Sequence, residues 1–263
     1  MTSSRSSEQD SQLAVRGHDV AADKRWAIYI DIEGFGALYD REDTILWALG
    51  DLMEAVFLIG TNCYPETPNR LFAHQTGDGF IIVSEFAAKT LDVPIAIAIA
   101  LLRHVSERGR FAKASIAEGG FAGINGCYPK RIRDAQRKDG RVFMGGGLMT
   151  VFPVMGTAMI NAVAVEKRSP SGALLTLNAS DGPRISSDCL VQDVAENDLV
   201  AIDWVNSSIP LVSELQATAG LRAPSAEAIK NHFSTYIRTT RVKQQWKANS
   251  NRFLSLGLSP HDF

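Results

Sequence analysis

Tyr29-Ile30-Asp31-Ile32-Glu33-Gly34-Phe35-Gly36 is the stretch that decides the fold. It ends an apolar run, residues 26–32, rich in the β-branched and aromatic residues of a buried strand, and breaks it with a Gly-Phe-Gly turn. Over residues 40–60, Ile45, Leu46, Leu49, Leu52, Met53, Val56 and Phe57 then recur at helical spacing. Two strand-like runs follow, 70–74 and 79–86, joined by Gln75-Thr76-Gly77-Asp78, which predicts a tight hairpin turn. A second helix opens at Asp92 with Pro94 in its first turn, where the missing N–H is harmless. A strand over 112–123, a small-residue helix over 153–168 and late strands at 174–178 and 200–205 complete the order β-α-ββ-α-β-α-β. That order implies an α+β fold, one sheet backed by helices.

The 263 residues divide into a polar, flexible tail over 1–22, a domain over 23–205 and a C-terminal helical extension over 206–263. Within the extension, 225–250 reads as one amphipathic helix. Ile229, Phe233 and Ile237 share a face, and Lys230, Arg238, Arg241, Lys243 and Lys247 surround it. A docking helix with a solvated outer face is favoured there over a basic arm for an acidic partner. The net charge of −2 gives no global basic excess for nucleic acid or an anionic membrane. Three scattered cysteines, no apolar leader and a longest apolar run of eight residues, 95–102, imply a reduced, cytoplasmic protein without a membrane span.

Two aspartates carry the chemistry. Asp31 sits inside an apolar strand, where a carboxylate is costly unless something pairs with it. Asp78 sits on the hairpin turn of His74-Gln75-Thr76-Gly77-Asp78-Gly79-Phe80. A strand end and a neighbouring hairpin tip can bring two carboxylates together, and they repel unless a cation lies between them. Hard oxygen ligands of this kind suit Mg²⁺ or Mn²⁺. The turn at Gly34, Phe35 and Gly36 offers backbone N–H groups to phosphates. A dicarboxylate beside a phosphate-binding turn equips a protein for phosphoryl transfer with two divalent ions.

These paired segments resemble the class III nucleotidyl cyclases, which carry D-I-x-G-F on the first strand and K-x-x-G-D on the second hairpin. The resemblance covers roughly residues 25–205 and implies a ferredoxin-like cyclase domain, a mostly antiparallel sheet backed by helices. It implies two divalent ions, Mn²⁺ or Mg²⁺, held by Asp31, Asp78 and the backbone carbonyl of Ile32. It also implies a homodimer with active sites at the interface. His74 stands where the family has its purine-selecting lysine. In Gly156–Glu166, Ile160 and Ala164 replace the family's transition-state asparagine and arginine, with Asn161 one position late. The D-I-E-G-F start, the T-G-D-G-F hairpin and this later segment resemble the bacterial Pycsar anti-phage pyrimidine cyclases. That likeness implies UTP as substrate, and cyclic UMP acting on a separate effector in anti-phage defence. His74 and Asn161 become base and ribose contacts, and Tyr29, Phe72 or Tyr64 could narrow the pocket. A cytidylate cyclase, an adenylate cyclase with a divergent pocket and a catalytically silent nucleotide-sensing module are the alternatives.

Overall fold

The computed structural model describes residues 24–34, 42–67, 69–123, 127–137, 141–152, 154–194 and 197–258. The predicted tail lies outside these residues. The chain opens with β1 (Arg25–Ile32), α1 (Glu42–Asn62), β2 (Leu71–Thr76), β3 (Gly79–Ser84), α2 (Asp92–Ser106) and β4 (Ala112–Gly119). These six elements form a split β-α-β unit with strand order β4-β1-β3-β2, antiparallel throughout, which is ferredoxin-like connectivity. The expected hairpin turn is tighter than the sequence suggests. Strand pairing runs to Thr76↔Gly79, leaving only Gly77 and Asp78 at the tip.

A peripheral segment follows: β5 (Ala122–Gly123), α3 (Lys130–Ala135), a hairpin of β6 (Arg141–Met144) and β7 (Gly147–Thr150), and β8 (Val154–Met155) paired with β5. Then come α4 (Thr157–Arg168), β9 (Leu175–Asn178), β10 (Val191–Val194) and β11 (Leu199–Ile202). β9 lies parallel to β4, and the full sheet of seven strands runs β10-β11-β9-β4-β1-β3-β2.

Alternation along β1 assigns the two faces of the sheet. Trp26, Ile28, Ile30 and Ile32 enter the main core with α1 and α2. Ala27 and Tyr29 point to the other face, where Ala158, Ala162 and Val165 of α4 pack. Asp31 continues this second set.

The C-terminal region is α5 (Pro210–Ala219), α6 (Ala226–Thr239) and α7 (Gln244–Phe253). The single helix expected over 225–250 is therefore two. The run Thr239-Thr240-Arg241-Val242 places three β-branched residues within four positions, and Thr240 takes an extended backbone. Ile229, Phe233 and Ile237 are buried as a docking face requires. α5 packs on α1 and α2, and Phe233, Tyr236 and Trp246 join the main core. Burying each such aromatic stabilises the fold by roughly 1.5–3 kcal/mol. Beyond α7, Gln192 of edge strand β10 donates to Ser255 Oγ at 3.3 Å. No helix among the described residues is long and apolar enough to cross a membrane.

Candidate active site

β1 is a central strand, so its C-terminal end is bordered on both sides. Asp31 stands opposite Gly79 of β3 and opposite Lys113 of β4. The same row continues from Gly79 to Thr76 on β2. Asp78, at the hairpin tip, accepts the Ile32 backbone N–H on its carbonyl at 3.4 Å. That bond ties the tip to the strand end and sets the Asp31 and Asp78 carboxyl groups side by side. Gly79 makes the approach possible. A Cβ there would lie 2.2 Å from the Ile30 carbonyl oxygen and 3.0 Å from Asp31 Oδ1.

The electrostatics of this pair are unbalanced. Asp31 Oδ1 is buried and accepts no N–H or O–H from a donor side chain or backbone group. Burial, then a hydrogen bond to the Asp78 carboxyl and repulsion from Asp78, Glu166 and Glu33, push the Asp31 carboxyl up to about 7. Tyr29, two residues earlier on the same face, is pushed up to about 12 by burial and by Asp31, Glu166 and Asp78. Carboxyl groups in hydrogen-bond contact need a shared proton or a cation between them.

An orphaned buried oxygen within a hard, anionic donor set fits Mg²⁺ or Mn²⁺. Among the described residues, no group of three or more His, Cys, Asp or Glu side chains gathers into a metal cluster. Two carboxylates, with further positions left to a backbone carbonyl and substrate phosphates, are the donor set Mg²⁺ commonly takes.

The turn after β1 is held from behind. Glu33 donates its N–H to the Phe111 carbonyl at 2.9 Å, and its Oε2 accepts Trp246 Nε1–H at 2.7 Å. Burial pushes the Glu33 carboxyl up, partly offset by the Trp246 bond and by Lys113 and Lys243. Gly34 has φ +89°, a left-handed conformation that a side chain would strain, and Tyr236 Oη lies 3.6 Å from where its Cβ would be. Phe35 and Gly36 lie outside the described residues.

The other predicted residues are distributed less closely. His74 lies on β2 opposite Ile81, which packs on the α4 face. It is 8% exposed, meets the Phe152 ring edge-on at 4.4 Å, and has a buried Nε2 without a partner. Burial lowers its pKa. β3 separates it from Asp31, so within one chain the two do not converge. Phe72 shares this face, paired with Val83, whereas Tyr64 stacks on Phe86 against the opposite core. Asn161 of α4 does not reach the carboxylates: its Nδ2 donates to the Glu118 carbonyl at 2.8 Å. Ile160, 63% exposed, and the exposed Ala164 lie on the outer side of that helix.

Sequence reasoning missed Lys113. This is the cation nearest in register to Asp31, but its ammonium is already engaged. It donates to Glu166 Oε1 at 2.9 Å, to the Glu166 carbonyl at 3.1 Å and to the Ser169 carbonyl at 3.2 Å, at the C-terminus of α4. A lysine inside the otherwise small and apolar run 112–117 was the available signal. The Glu33–Trp246 bond had none, since its partners lie 213 positions apart.

No family model matches the chain, and no curated protein matches it. Solved structures do. Two structures of a bacterial light-regulated adenylyl cyclase align with 75% of this chain and 57% of their own, at TM-score 0.44 and 12% and 11% identity. A class III adenylyl cyclase-like ATP-binding protein from Pseudomonas aeruginosa aligns with 66% of this chain and 39% of its own, at TM-score 0.36 and 10% identity. The matched region thus spans little more than half of the light-regulated enzyme.

Proposed function

We propose that the chain is a metal-dependent pyrimidine nucleotidyl cyclase that converts UTP to 3′,5′-cyclic UMP and pyrophosphate. The observation that carries this reading is the abutted Asp31–Asp78 pair, one oxygen orphaned and buried, beside the left-handed turn at Gly34. Asp31, Asp78 and the Ile32 carbonyl would hold two divalent ions, Mn²⁺ or Mg²⁺. Bound there, these would acidify the ribose 3′-hydroxyl and neutralise the triphosphate. The 3′-oxygen then bonds to the α-phosphorus as the α–β anhydride bond breaks. Pyrophosphate leaves with the electron pair, and the hydroxyl proton is released. The backbone of Gly34, Phe35 and Gly36 orients the phosphates, while the Lys113 ammonium, opposite Asp31 in register, is held at the end of α4.

His74 in place of a lysine supports a pyrimidine over a purine. The site is completed by a second copy of the chain in a homodimer. Exposed Phe152, Met155 and Ile160, together with Phe143, Met144 and Leu148 of the β6–β7 hairpin, support such an interface. In this reading 23–205 is the catalytic domain, 206–263 a helical extension, and the protein works in the cytoplasm. The cyclic nucleotide activates a separate effector in anti-phage defence.

Purified protein incubated with each of the four nucleoside triphosphates and Mn²⁺ tests the proposal. Cyclic UMP as main product, abolished by Asp78→Ala, is expected. Cyclic CMP or cyclic AMP alone would move the base assignment, and an unchanged rate in Asp78→Ala would overturn the metal site. The engagement of Asn161 with Glu118 and the absence of an arginine at Ala164 favour a second reading, a silent nucleotide-binding module. Tight UTP binding without turnover at any metal concentration would establish that one.

A further inference from the structure

Behind the Glu33–Gly34 turn, on the far side from the carboxylates, lies a cleft of about 450 Å³ between the α2–β4 turn and α6. Its volume suits a small ligand. One wall is Arg108 and Arg110. The other is a polar stripe of α6 at helical spacing, His232, Thr235, Tyr236 and Thr239. This stripe adjoins the buried Ile229–Phe233–Ile237 stripe, and Tyr236 belongs to both, its ring buried in the main core.

The charge in this cleft is only partly spent. Among the described residues, no carboxylate or carbonyl engages the half-buried Arg110. Arg108 reaches Asp51 only at 3.3 Å, and Asp51 is bound more closely by Arg222 at 2.7 Å. Glu107 is the one acidic residue at the rim. The Thr239 hydroxyl donates within its own helix, to the Thr235 carbonyl at 2.9 Å, so two guanidinium groups facing the Thr235 hydroxyl form the donor set, one for phosphate oxygens rather than for an apolar molecule.

The cleft is also wired to the turn. Arg110 precedes Phe111, whose carbonyl takes the Glu33 N–H at 2.9 Å. Tyr236, which lines the cleft, places its hydroxyl over Gly34. An occupant drawing on Arg110 and α6 therefore pulls on both partners of the β1–α1 turn.

We propose that this cleft binds a small phosphorylated molecule and is a regulatory site separate from the carboxylate pair. The binding claim stands without the cyclase reading, because its contacts are all on the opposite side of the turn.

Inorganic pyrophosphate is the probe, titrated calorimetrically into the full chain in EDTA, so that no divalent ion can hold it at Asp31 and Asp78. Saturable binding is expected, unchanged in Asp78→Asn and about tenfold weaker in Arg110→Ala. Thr235→Glu, a substitution at an exposed helix position that puts a carboxylate in the cleft, should weaken it at least as much, with thermal unfolding unchanged as the check on folding. Intrinsic tryptophan fluorescence should shift on binding and lose that shift in Trp246→Phe. Binding that survives both Arg110→Ala and Thr235→Glu, binding lost in Asp78→Asn, or no binding at all would each overturn the proposal.

Discussion

Trp246 Nε1 donates a 2.7 Å hydrogen bond to Glu33 Oε2, so α7 holds the turn that follows β1. The indole is also stacked on Phe233, ring centroids 5.5 Å apart and planes within 9°. Trp246→Phe keeps most of this stacking and removes only the donor. The Glu33 carboxyl, already raised by burial, then loses a partner that lowers its pKa. The substitution should cost about 1–3 kcal/mol of stability, read from urea unfolding. For the cyclase proposed above, it should also lower kcat more than it raises KM, because what it loosens is the turn proposed to hold the phosphates. A fall in stability with kcat intact would make Trp246 a packing residue only.

Gly79→Ala tests how closely β1 and β3 must approach. The new methyl would meet the Ile30 carbonyl at 2.2 Å, a contact backbone cannot relieve by side-chain rotation. Destabilisation of roughly 1–3 kcal/mol is expected, with loss of metal-induced thermal stabilisation. Wild-type behaviour of the variant in a thermal melt with and without Mn²⁺ would contradict the geometry.

The Asp31 carboxyl gives the site a pH signature. Its folded-state pKa, about 7, lies above the ordinary carboxyl value. Its contribution to stability is therefore fully present below the unfolded pKa and is lost as pH rises through about 7. Metal-free protein should lose stability from about pH 4 to about pH 8 relative to Asp31→Asn, which keeps the shape without the charge. A divalent ion bound as proposed would replace the proton, so the Mn²⁺-induced rise in Tm should grow over the same interval. Parallel pH profiles for wild type and Asp31→Asn would rule this out.

Lys113→Met separates two roles of one ammonium group. Three acceptors at the end of α4 lose their donor, which lowers Tm. If the lysine also meets substrate phosphates, kcat/KM for the nucleotide falls by about tenfold or more beyond the effect of Glu166→Gln, which weakens the same anchor from the other side. Equal losses in the two variants would confine Lys113 to structure.

Much of this molecule could be read from its residues because the periodic signals were local. β1, α1, the β2–β3 hairpin and α2 each carry their own alternation or helical spacing, and an aspartate in an apolar strand is conspicuous. α5 escaped notice because Ile209 precedes it in place of a capping side chain, with no side-chain cap bond. β10 is only four residues long and half exposed. The break at Thr240 was hidden by an apolar stripe that resumes with Trp246 in the next helix. Lys113 and Glu33 remained obscure for a different reason. Their importance comes from register and from docking across the chain, which no local window contains.

The brace on the turn has a consequence for biosynthesis. Both carboxylates, and most of the hairpin that carries the second, are present once the chain is made through Phe80. Trp246 emerges from the ribosome 213 positions after the glutamate it holds. A nascent chain can therefore assemble the acidic pair long before the turn beside it is fixed, and only a chain made through Trp246 has both. Synthesis itself delays the brace, and a product shortened ahead of α7 would keep both carboxylates while lacking the tryptophan that steadies the turn beside them.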